Sequence, residues 1–270
     1  MRLSDAVRAL REAGVPDAAY DARVIFSEIG GIGRAEMMFS DPSVDSERLD
    51  DAIRRRCGRE PLQYIIGKAA FYHEEYEVGP DCLIPRADTE ILVDYAVHNI
   101  PSGESFADLC CGSGCVGIST LCATDNTFAT LVDISEGALA LAKRNAERNG
   151  VLERVTFVQA DVLSKKPICG EVFAVLANPP YVTNEAYERL EKEIYFEPKI
   201  AFVGGDDGMD FYRAITEAYQ NSLKPEGFIA FEIGFDQRNA ICSVADDFGF
   251  CAKIIKDFSG NDRVAVLKKK

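Results

Sequence analysis

The stretch Val172-Phe173-Ala174-Val175-Leu176-Ala177-Asn178-Pro179-Pro180-Tyr181 joins six apolar residues to a short bend that contains two prolines. An uninterrupted apolar run of this length is typical of a strand that is buried on both faces of a parallel sheet. Ligands of open α/β sheets bind beyond the carboxyl ends of such strands. We therefore expect residues 178–181 to lie at a ligand-binding edge of a sheet.

The chemistry of this bend suits a planar group that carries an NH2. Asn178 has a side-chain oxygen that accepts hydrogen bonds, whereas Pro179 and Pro180 have no N–H and expose carbonyl groups without competing donors. Tyr181 adds a flat ring on which a planar group can stack. Four residues are a short motif, and a rigid turn between a strand and a loop explains them equally well on their own.

The second half of the chain alternates strand and helix patterns, which is the signature of a parallel sheet in an α/β fold. The predicted strands are 106–109, 129–132, 155–158, 172–177 and 228–233, and the clearest helix is 136–148. Two final segments, 252–258 and 263–267, flank the turn Ser259-Gly260-Asn261-Asp262. This pattern predicts a closing hairpin with an antiparallel strand at the edge of the sheet.

Two smaller regions precede this sheet. Residues 1–62 carry apolar residues at helical spacing and predict a small helical bundle. Residues 63–85 are richer in aromatic and β-branched residues, with glycines at Gly67 and Gly79, and predict a β-hairpin linker. The sequence thus predicts a helical domain (1–62), a hairpin linker (63–85) and an α/β domain (86–270).

The composition favours a globular protein with an acidic surface. Of 270 residues, 44 are acidic and 30 are basic, and the formal charge of −14 weighs against stable binding to nucleic acid. No apolar run approaches the roughly 20 residues of a membrane helix, and the polar first residues do not resemble a signal peptide. We expect no membrane contact and a cytoplasmic location. The nine cysteines lack paired C-x-x-C spacing and are accompanied by two histidines, so we expect reduced thiols and no metal.

A glycine-containing loop follows the first predicted strand of the sheet. It reads Asp108-Leu109-Cys110-Cys111-Gly112-Ser113-Gly114-Cys115-Val116-Gly117, and its last six residues satisfy G-x-G-x-x-G. Glycine permits a tight turn and a close approach of a ligand to the backbone, and the next helix offers its N-terminal N–H groups. Asp133 follows about 20 residues later, where a carboxylate can accept both hydroxyls of a ribose. The pattern fits a nicotinamide dinucleotide as well as another nucleoside, and a plain turn followed by a helix cap would also produce it.

Two more acidic residues lie at predicted strand ends. Asp108 places a carboxylate where it could attract a cation. Asp161 and the apolar Val162 follow the third strand and could supply an edge acceptor and a wall for adenine, although a cap for the next helix also explains Asp161.

Together these motifs resemble the class I S-adenosylmethionine methyltransferases, and more narrowly the protein-(glutamine-N5) methyltransferases of peptide chain release factors, the HemK/PrmC family. The likeness extends over most of the chain. It is carried by residues 63–67, 84–86, 89–90, 108–114, 132–135, 178–181, 196–198, 204–208, 232–234 and 262–263. One departure is that Cys110, followed by Cys111, replaces the first loop glycine of the family.

The resemblance implies a Rossmann-like, mostly parallel sheet with an antiparallel last strand. It implies transfer of a methyl group from S-adenosylmethionine to the side-chain amide nitrogen of the glutamine in the Gly-Gly-Gln motif of bacterial-type release factors, which leaves S-adenosylhomocysteine. The helical domain is expected to help hold the release factor.

The resemblance also assigns roles to individual residues. The expected donor site comprises Asp108, Cys110, Cys111, Gly112, Ser113, Gly114, Asp133, Ile134, Asp161, Val162 and Asn178. The expected substrate site comprises Asn178, Pro179, Pro180 and Tyr181, of which Asn178, Pro179 and Tyr181 are catalytic. Arg86 and Glu90 are expected either to help close the donor pocket or to form plain salt bridges.

The hypothesised chemistry depends on placement of the substrate nitrogen. The side-chain oxygen of Asn178 and the carbonyl of Pro179 would each accept one hydrogen of the target NH2, and Tyr181 would stack on the amide plane. An adenine-N6 nucleic-acid methyltransferase could use the same slot. The motifs also leave open a nicotinamide-dependent oxidoreductase and a release-factor-binding protein without catalytic activity.

Overall fold

The computed structural model describes residues 1–270. The chain divides into two units, one made of residues 1–68 and 191–196, and the other of residues 69–190 and 197–270. Within either unit, no helix combines the length and the apolar character that are needed to cross a membrane.

The first unit is helical and has its own hydrophobic core. Its helices are α1 (Leu3–Glu12), α2 (Ala18–Glu28), α3 (Arg34–Phe39), α4 (Glu47–Cys57) and α5 (Leu62–Ile66). Leu10 and Leu49 are fully buried in this core. A buried ion pair joins Arg56 on α4 to Asp21 on α2, with 2.7 Å between Nε and Oδ2. Glu193, in the segment that returns to this unit, accepts a second hydrogen bond from Arg56 at 3.2 Å.

Helix α5 occupies residues that the sequence assigns to the beginning of the hairpin. Gly67 ends this helix at a φ of 76°, in the left-handed region that glycine adopts readily. The hairpin is therefore shorter than predicted and comprises β1 (Lys68–Phe71) and β2 (Glu74–Glu77). Leu62 and Ile65 pack into the core of the first unit. Tertiary packing thus overrides the strand preference of this short apolar run.

The second unit is built on a sheet of seven strands in the order β5-β4-β3-β6-β7-β9-β8. These strands are β3 (Ser105–Leu109), β4 (Phe128–Asp133), β5 (Val155–Gln159), β6 (Val172–Ala177), β7 (Leu223–Glu232), β8 (Phe250–Lys256) and β9 (Asp262–Lys269). Strands β3 to β7 pair in parallel, whereas β9 pairs antiparallel with both β7 and β8. The predicted α/β class, with an antiparallel last strand, is confirmed. The antiparallel edge of the sheet is formed by β8, which pairs with β9.

Helices connect the strands of this sheet. They are α6 (Glu90–Asn99), α7 (Cys115–Cys122), α8 (Glu136–Arg148), α9 (Asn184–Tyr187), α10 (Asp210–Tyr219) and α11 (Arg238–Asp247). Helix α8 has the predicted bounds and begins after Ser135, whose hydroxyl accepts a hydrogen bond from the backbone of Ala138 at 3.2 Å.

The strand order reverses at β3, which lies between β4 and β6. Such a switch point opens a crevice beyond the carboxyl ends of the strands. In the register of the sheet, Leu109 is paired with Ala177. The loop after β3 and the bend after β6 therefore begin side by side, which brings together two motifs that are about 70 residues apart in the sequence.

Candidate active site

A cavity of about 310 Å³ lies at this switch point, a volume at the lower end of the range for small-molecule sites. It brings together most of the predicted site residues. Those that line it are Arg86, Asp108, Cys110, Cys111, Gly112, Ser113, Asp133, Ile134, Asp161, Val162, Asn178 and Pro180. Four predicted residues, Glu90, Gly114, Pro179 and Tyr181, are not part of the lining.

Of the glycines in the loop after β3, one lines the cavity and two allow close packing. Gly112 has a φ of 53° and lines the cavity. Gly114 supports packing instead, since a Cβ there would lie 2.8 Å from a side-chain carbon of Ile118. A Cβ on Gly117 would lie 2.8 Å from the Leu131 side chain, so this glycine lets α7 pack closely on the sheet.

Cys110 stands where the family pattern has a glycine. Its φ of 59° lies in the left-handed region that favours glycine. The departure from the family pattern therefore coincides with a backbone position that glycine would adopt without strain.

Asp133 is fixed at the cavity wall by two backbone N–H groups. Its Oδ2 accepts from Gly112 and its Oδ1 accepts from Ser135, each at 2.9 Å. Burial raises the pKa of Asp133, although these hydrogen bonds favour the charged form. A carboxylate with one bond on each oxygen retains lone pairs for further donors. The geometry is suited to the hydroxyls of a ribose.

Asp108 is a buried carboxylate at the end of β3, with 1% of its surface exposed. Its Oδ2 accepts a hydrogen bond from the backbone of Gly117 at 2.8 Å. Burial raises the pKa of Asp108 to about 7, and the neighbouring Asp133 acts in the same direction. A buried carboxylate of this kind interacts favourably with a cation, because a nearby positive charge stabilises its ionised form.

Asp161 caps a short helix and also lies at the cavity wall. One carboxylate oxygen accepts a hydrogen bond from the backbone of Leu163 at 2.8 Å and caps a short 3-10 helix, Val162–Ser164. The residue also lines the cavity, beside the buried Val162. The cap holds the carboxylate in position and leaves lone pairs for a ligand.

Asn178 is connected to a buried acid through a threonine. Its Nδ2 donates to the Thr89 hydroxyl at 3.2 Å, and that hydroxyl donates to Oε2 of Glu232. The Tyr181 hydroxyl donates to the other carboxylate oxygen of Glu232 at 3.3 Å. Thr89 and Glu232 are 1% and 3% exposed, so this network is shielded from water. This contact involves the hydroxyl of Tyr181 and not the face of its ring, so stacking of the ring on a substrate stays a prediction.

The bend after β6 is supported by a glycine-containing loop. A Cβ on Gly204 would lie 2.3 Å from the carbonyl oxygen of Pro180, and a Cβ on Gly208 would lie 2.3 Å from that of Tyr181. The backbone N–H of Gly204 donates to the carbonyl of Val182 at 2.9 Å. These contacts give the glycines of residues 204–208 a physical role, since a side chain at either position would displace the bend.

The two remaining predicted residues differ in position. Arg86 lines the cavity and forms an ion pair with Glu197, which also accepts a hydrogen bond from the backbone of Ile84 at 2.8 Å. Glu90 accepts a hydrogen bond from the backbone of Tyr72 at 2.8 Å and supports the hairpin turn. Of the two, Arg86 is therefore the residue whose contacts bear on the cavity wall.

Three residues of the site, Thr89, Glu197 and Glu232, have no role predicted from the sequence. All three lie in stretches that carry the family resemblance, and all three are buried. A glutamate at the end of an apolar strand, as Glu232 is at the end of β7, is the one local signal that could have identified it. Buried acids are uncommon unless they are paired or functional.

The charges at the cavity wall are mostly negative. Besides Arg86, its charged residues are Asp81, Asp108, Asp133, Asp161 and Asp210. Three apolar side chains at the lining are more than two-fifths exposed, namely Ile134, Leu163 and Ile200. Such a wall is better suited to a cationic or neutral ligand than to a polyanion.

Family models match both parts of the chain. The model described as PrmC N-terminal domain matches residues 3–67, and the model described as methyltransferase small domain matches residues 85–196. The release factor glutamine methyltransferase of Geobacter sulfurreducens is 35% identical over 262 residues, which cover 94% of this chain and 91% of that protein. The protein of the same name from Fusobacterium nucleatum subsp. nucleatum is 33% identical over 272 residues, which cover 97% of this chain and 77% of that protein.

Solved structures agree on the fold. A methyltransferase from Pyrococcus furiosus superposes with a TM-score of 0.53 at 20% identity, covering 72% of this chain and 89% of that one. This similarity shows the α/β fold alone, whereas the sequence relatives extend over nearly the whole chain. The chain belongs to the release factor glutamine methyltransferase family.

Proposed function

We propose that this protein transfers a methyl group from S-adenosylmethionine to the side-chain amide nitrogen of the glutamine in the Gly-Gly-Gln motif of bacterial-type release factors. The observation that carries this proposal is the position of Asn178. Its amide lines the cavity, and its nitrogen is tied to Thr89 at 3.2 Å. The amide oxygen is thus the end that remains for the NH2 of a substrate. The names of the relatives support the choice of a release factor glutamine.

The cavity wall fits the proposed donor. Asp133 would accept hydrogen bonds from the ribose hydroxyls, and Asp161 with Val162 would contact adenine. Asp108 and the other wall carboxylates favour a cationic ligand over an anionic one. S-adenosylmethionine supplies a methyl group that is already activated on a positively charged sulfur, and S-adenosylhomocysteine is the product. No metal is part of this proposal.

The residues of the bend would orient the acceptor nitrogen. The Asn178 oxygen and the Pro179 carbonyl would each accept one hydrogen of the glutamine NH2, which directs the nitrogen and stabilises the positive charge that develops on it. Pro179 is buried, so its proposed role concerns its carbonyl group rather than its ring. A general base is not required, because the N-protonated amide is acidic enough to release its proton to water.

If a release factor is the substrate, roles follow for the three regions of the chain. The helical region, residues 1–62, would contribute to holding this protein partner, with residues 63–85 as linker and 86–270 as the catalytic part. A substrate that takes part in translation termination also supports a cytoplasmic location. Stable binding to nucleic acid or to a membrane is not part of the proposed function.

The adenine-N6 alternative is not favoured. A flipped adenine presents a similar NH2, but the nucleic acid around it would approach a wall with five aspartates and one arginine. The nicotinamide alternative assigns no role to residues 178–181, which line or support the cavity.

A methyl-transfer assay tests the proposal. Purified protein is incubated with labelled S-adenosylmethionine and a release factor, beside a release factor whose motif glutamine is changed. Label is expected on the first factor and not on the second. Asn178→Ala is expected to lower kcat by about 10²–10³, the range found for loss of one charge-stabilising group, with the donor Kd changed less than about threefold.

Three results would overturn the proposed function. They are labelling that ignores the motif glutamine, full activity of Asn178→Ala, and faster transfer to DNA or RNA than to the release factor. Binding of the release factor without transfer would support the non-catalytic alternative.

A further inference from the structure

We propose that Thr89 and Glu232 are positioning residues that determine which end of the Asn178 side-chain amide faces the substrate. This inference rests on the proposed function, because an NH2 substrate needs an acceptor. A side-chain amide can turn by 180° and present either its oxygen or its NH2. Only the first orientation binds the hydrogens of a substrate NH2. The second would place two donors against each other.

The hydrogen bonds form a directed chain. Asn178 Nδ2 donates to Thr89 Oγ1 at 3.2 Å, and Thr89 Oγ1 donates to Glu232 Oε2. The other oxygen of Glu232 accepts from the hydroxyl of Tyr181 at 3.3 Å. The carboxylate thus receives two hydroxyl protons, one on each oxygen.

The direction of this chain follows from the chemistry of its last member. An ionised carboxylate can only accept, and a threonine hydroxyl has a single hydrogen to donate. Once that hydrogen is bonded to Glu232, the oxygen of Thr89 can only accept from Asn178. The group it accepts from must be the NH2 end, so the oxygen of the Asn178 amide is directed to the cavity.

The surroundings of Glu232 bear on its charge. Burial raises the pKa of this carboxyl, while the hydrogen bond from Thr89, the positive charge of Arg263 and the hydrogen bond from Tyr181 act against burial. Arg263 lies on the neighbouring strand, where its carbonyl accepts from the backbone of Ile233 at 2.8 Å. Arg263 on β9 and the hydroxyls of Thr89 and Tyr181 thus offset part of the effect of burial on the pKa of this carboxyl.

Substitutions separate orientation from packing. Thr89→Val keeps the shape but removes the hydroxyl, so the amide loses its direction, and we expect kcat to fall about tenfold. Glu232→Gln can donate to Thr89, which reverses the chain and turns the NH2 of Asn178 to the cavity, and we expect kcat to fall about 100-fold. Thr89→Ser keeps the hydroxyl and is expected to retain kcat within about threefold.

The double variant gives the sharpest result. Without the Thr89 hydroxyl, a glutamine at position 232 cannot impose the wrong orientation. Thr89→Val in the Glu232→Gln protein is therefore expected to raise kcat about tenfold, to the level of Thr89→Val alone. A purely structural role predicts that the double variant is worse than either single one.

Binding measurements and a matched control complete the experiment. KM for the release factor and Kd for S-adenosylhomocysteine are expected to stay within about threefold in all variants. Thr216 is a buried threonine on α10 whose hydroxyl has no hydrogen-bond partner. Thr216→Val makes the same chemical change outside the network and should leave kcat unaltered.

Several results would overturn the inference. If the wild type transfers methyl groups but Thr89→Val is equally active, the threonine does not direct the amide. Equal losses in Thr89→Val and Thr89→Ser, or a double variant below both singles, would also refute it. If Glu232→Gln fails to fold, the kcat values of Thr89→Val and Thr89→Ser still show whether the hydroxyl at position 89 directs the Asn178 amide. An inactive wild type would instead refute the proposed function.

Discussion

Replacement of Asp108 by asparagine tests how much the buried carboxylate at the cavity wall lowers the stability of the protein, and at which pH. The carboxyl of Asp108 is buried and its pKa rises from 3.8 to about 7. Between these two values the folded protein binds a proton that the unfolded chain has released. The contribution of Asp108 to the free energy of unfolding therefore falls as the pH rises from about 4 to about 7, and above pH 7 the full cost of its buried charge is present.

The size of this effect follows from the pKa difference. Each pKa unit corresponds to about 1.4 kcal/mol, so an increase from 3.8 to about 7 destabilises the ligand-free protein by about 4 kcal/mol at pH 8. Asparagine has nearly the same shape, can still accept from Gly117, and carries no charge. We expect Asp108→Asn to be about 4 kcal/mol more stable than the wild type at pH 8, with the difference shrinking towards zero at about pH 4.

Urea unfolding at about pH 4.5, 6 and 8 measures this difference. Thr216→Val changes no ionisable group, so its difference from the wild type should be independent of pH. The same Asp108→Asn protein is expected to bind the cationic donor more weakly at the highest pH. A stability difference that does not change with pH, or that grows towards acid, would contradict the reasoning.

Three other substitutions have expected outcomes. Gly204→Ala should destabilise by about 1–3 kcal/mol and lower kcat, because its Cβ would lie 2.3 Å from the carbonyl oxygen of Pro180; an unchanged melting temperature and kcat would contradict this. Thr216→Val should raise the free energy of unfolding by about 1 kcal/mol in urea titrations, since it removes an unpartnered buried hydroxyl; a lower free energy would count against it. Cys110→Gly should be roughly 0.5–1 kcal/mol more stable than Cys110→Ala, because a φ of 59° favours glycine; the reverse order would show that this backbone carries no strain.

Structural features that are determined by a single short segment of the chain are predictable from the sequence. Strand β6 has its predicted bounds, because a strand buried on both faces is an unbroken apolar run. The loop after β3 is recognisable by its glycines. Helix α5 is not predicted, since five residues of this kind fit either a strand or a helix until their packing partners are known.

The contacts that hold the site residues in place are harder to predict from the sequence, because they join residues that are far apart in the chain. Thr89 and Glu232 are 143 residues apart in the chain, and no local pattern indicates that they meet. The contacts of Gly204 with the bend are likewise tertiary. The placement of β9 between β7 and β8 is tertiary as well, because a hairpin motif does not say which of its strands pairs with the rest of the sheet.

The position of β9 has a consequence for the order in which the protein folds. Strand β8 reaches the sheet only through β9, so it joins either as part of a preformed hairpin or after β9 has docked on β7. Hairpins form in about 1–10 μs, whereas pairing of distant strands is slower. Docking also brings the positive charge of Arg263 to Glu232. We expect pulsed hydrogen exchange to show protection of the β8–β9 amides before those between β7 and β9, with catalytic competence appearing only at the later step; simultaneous protection of both would contradict this order.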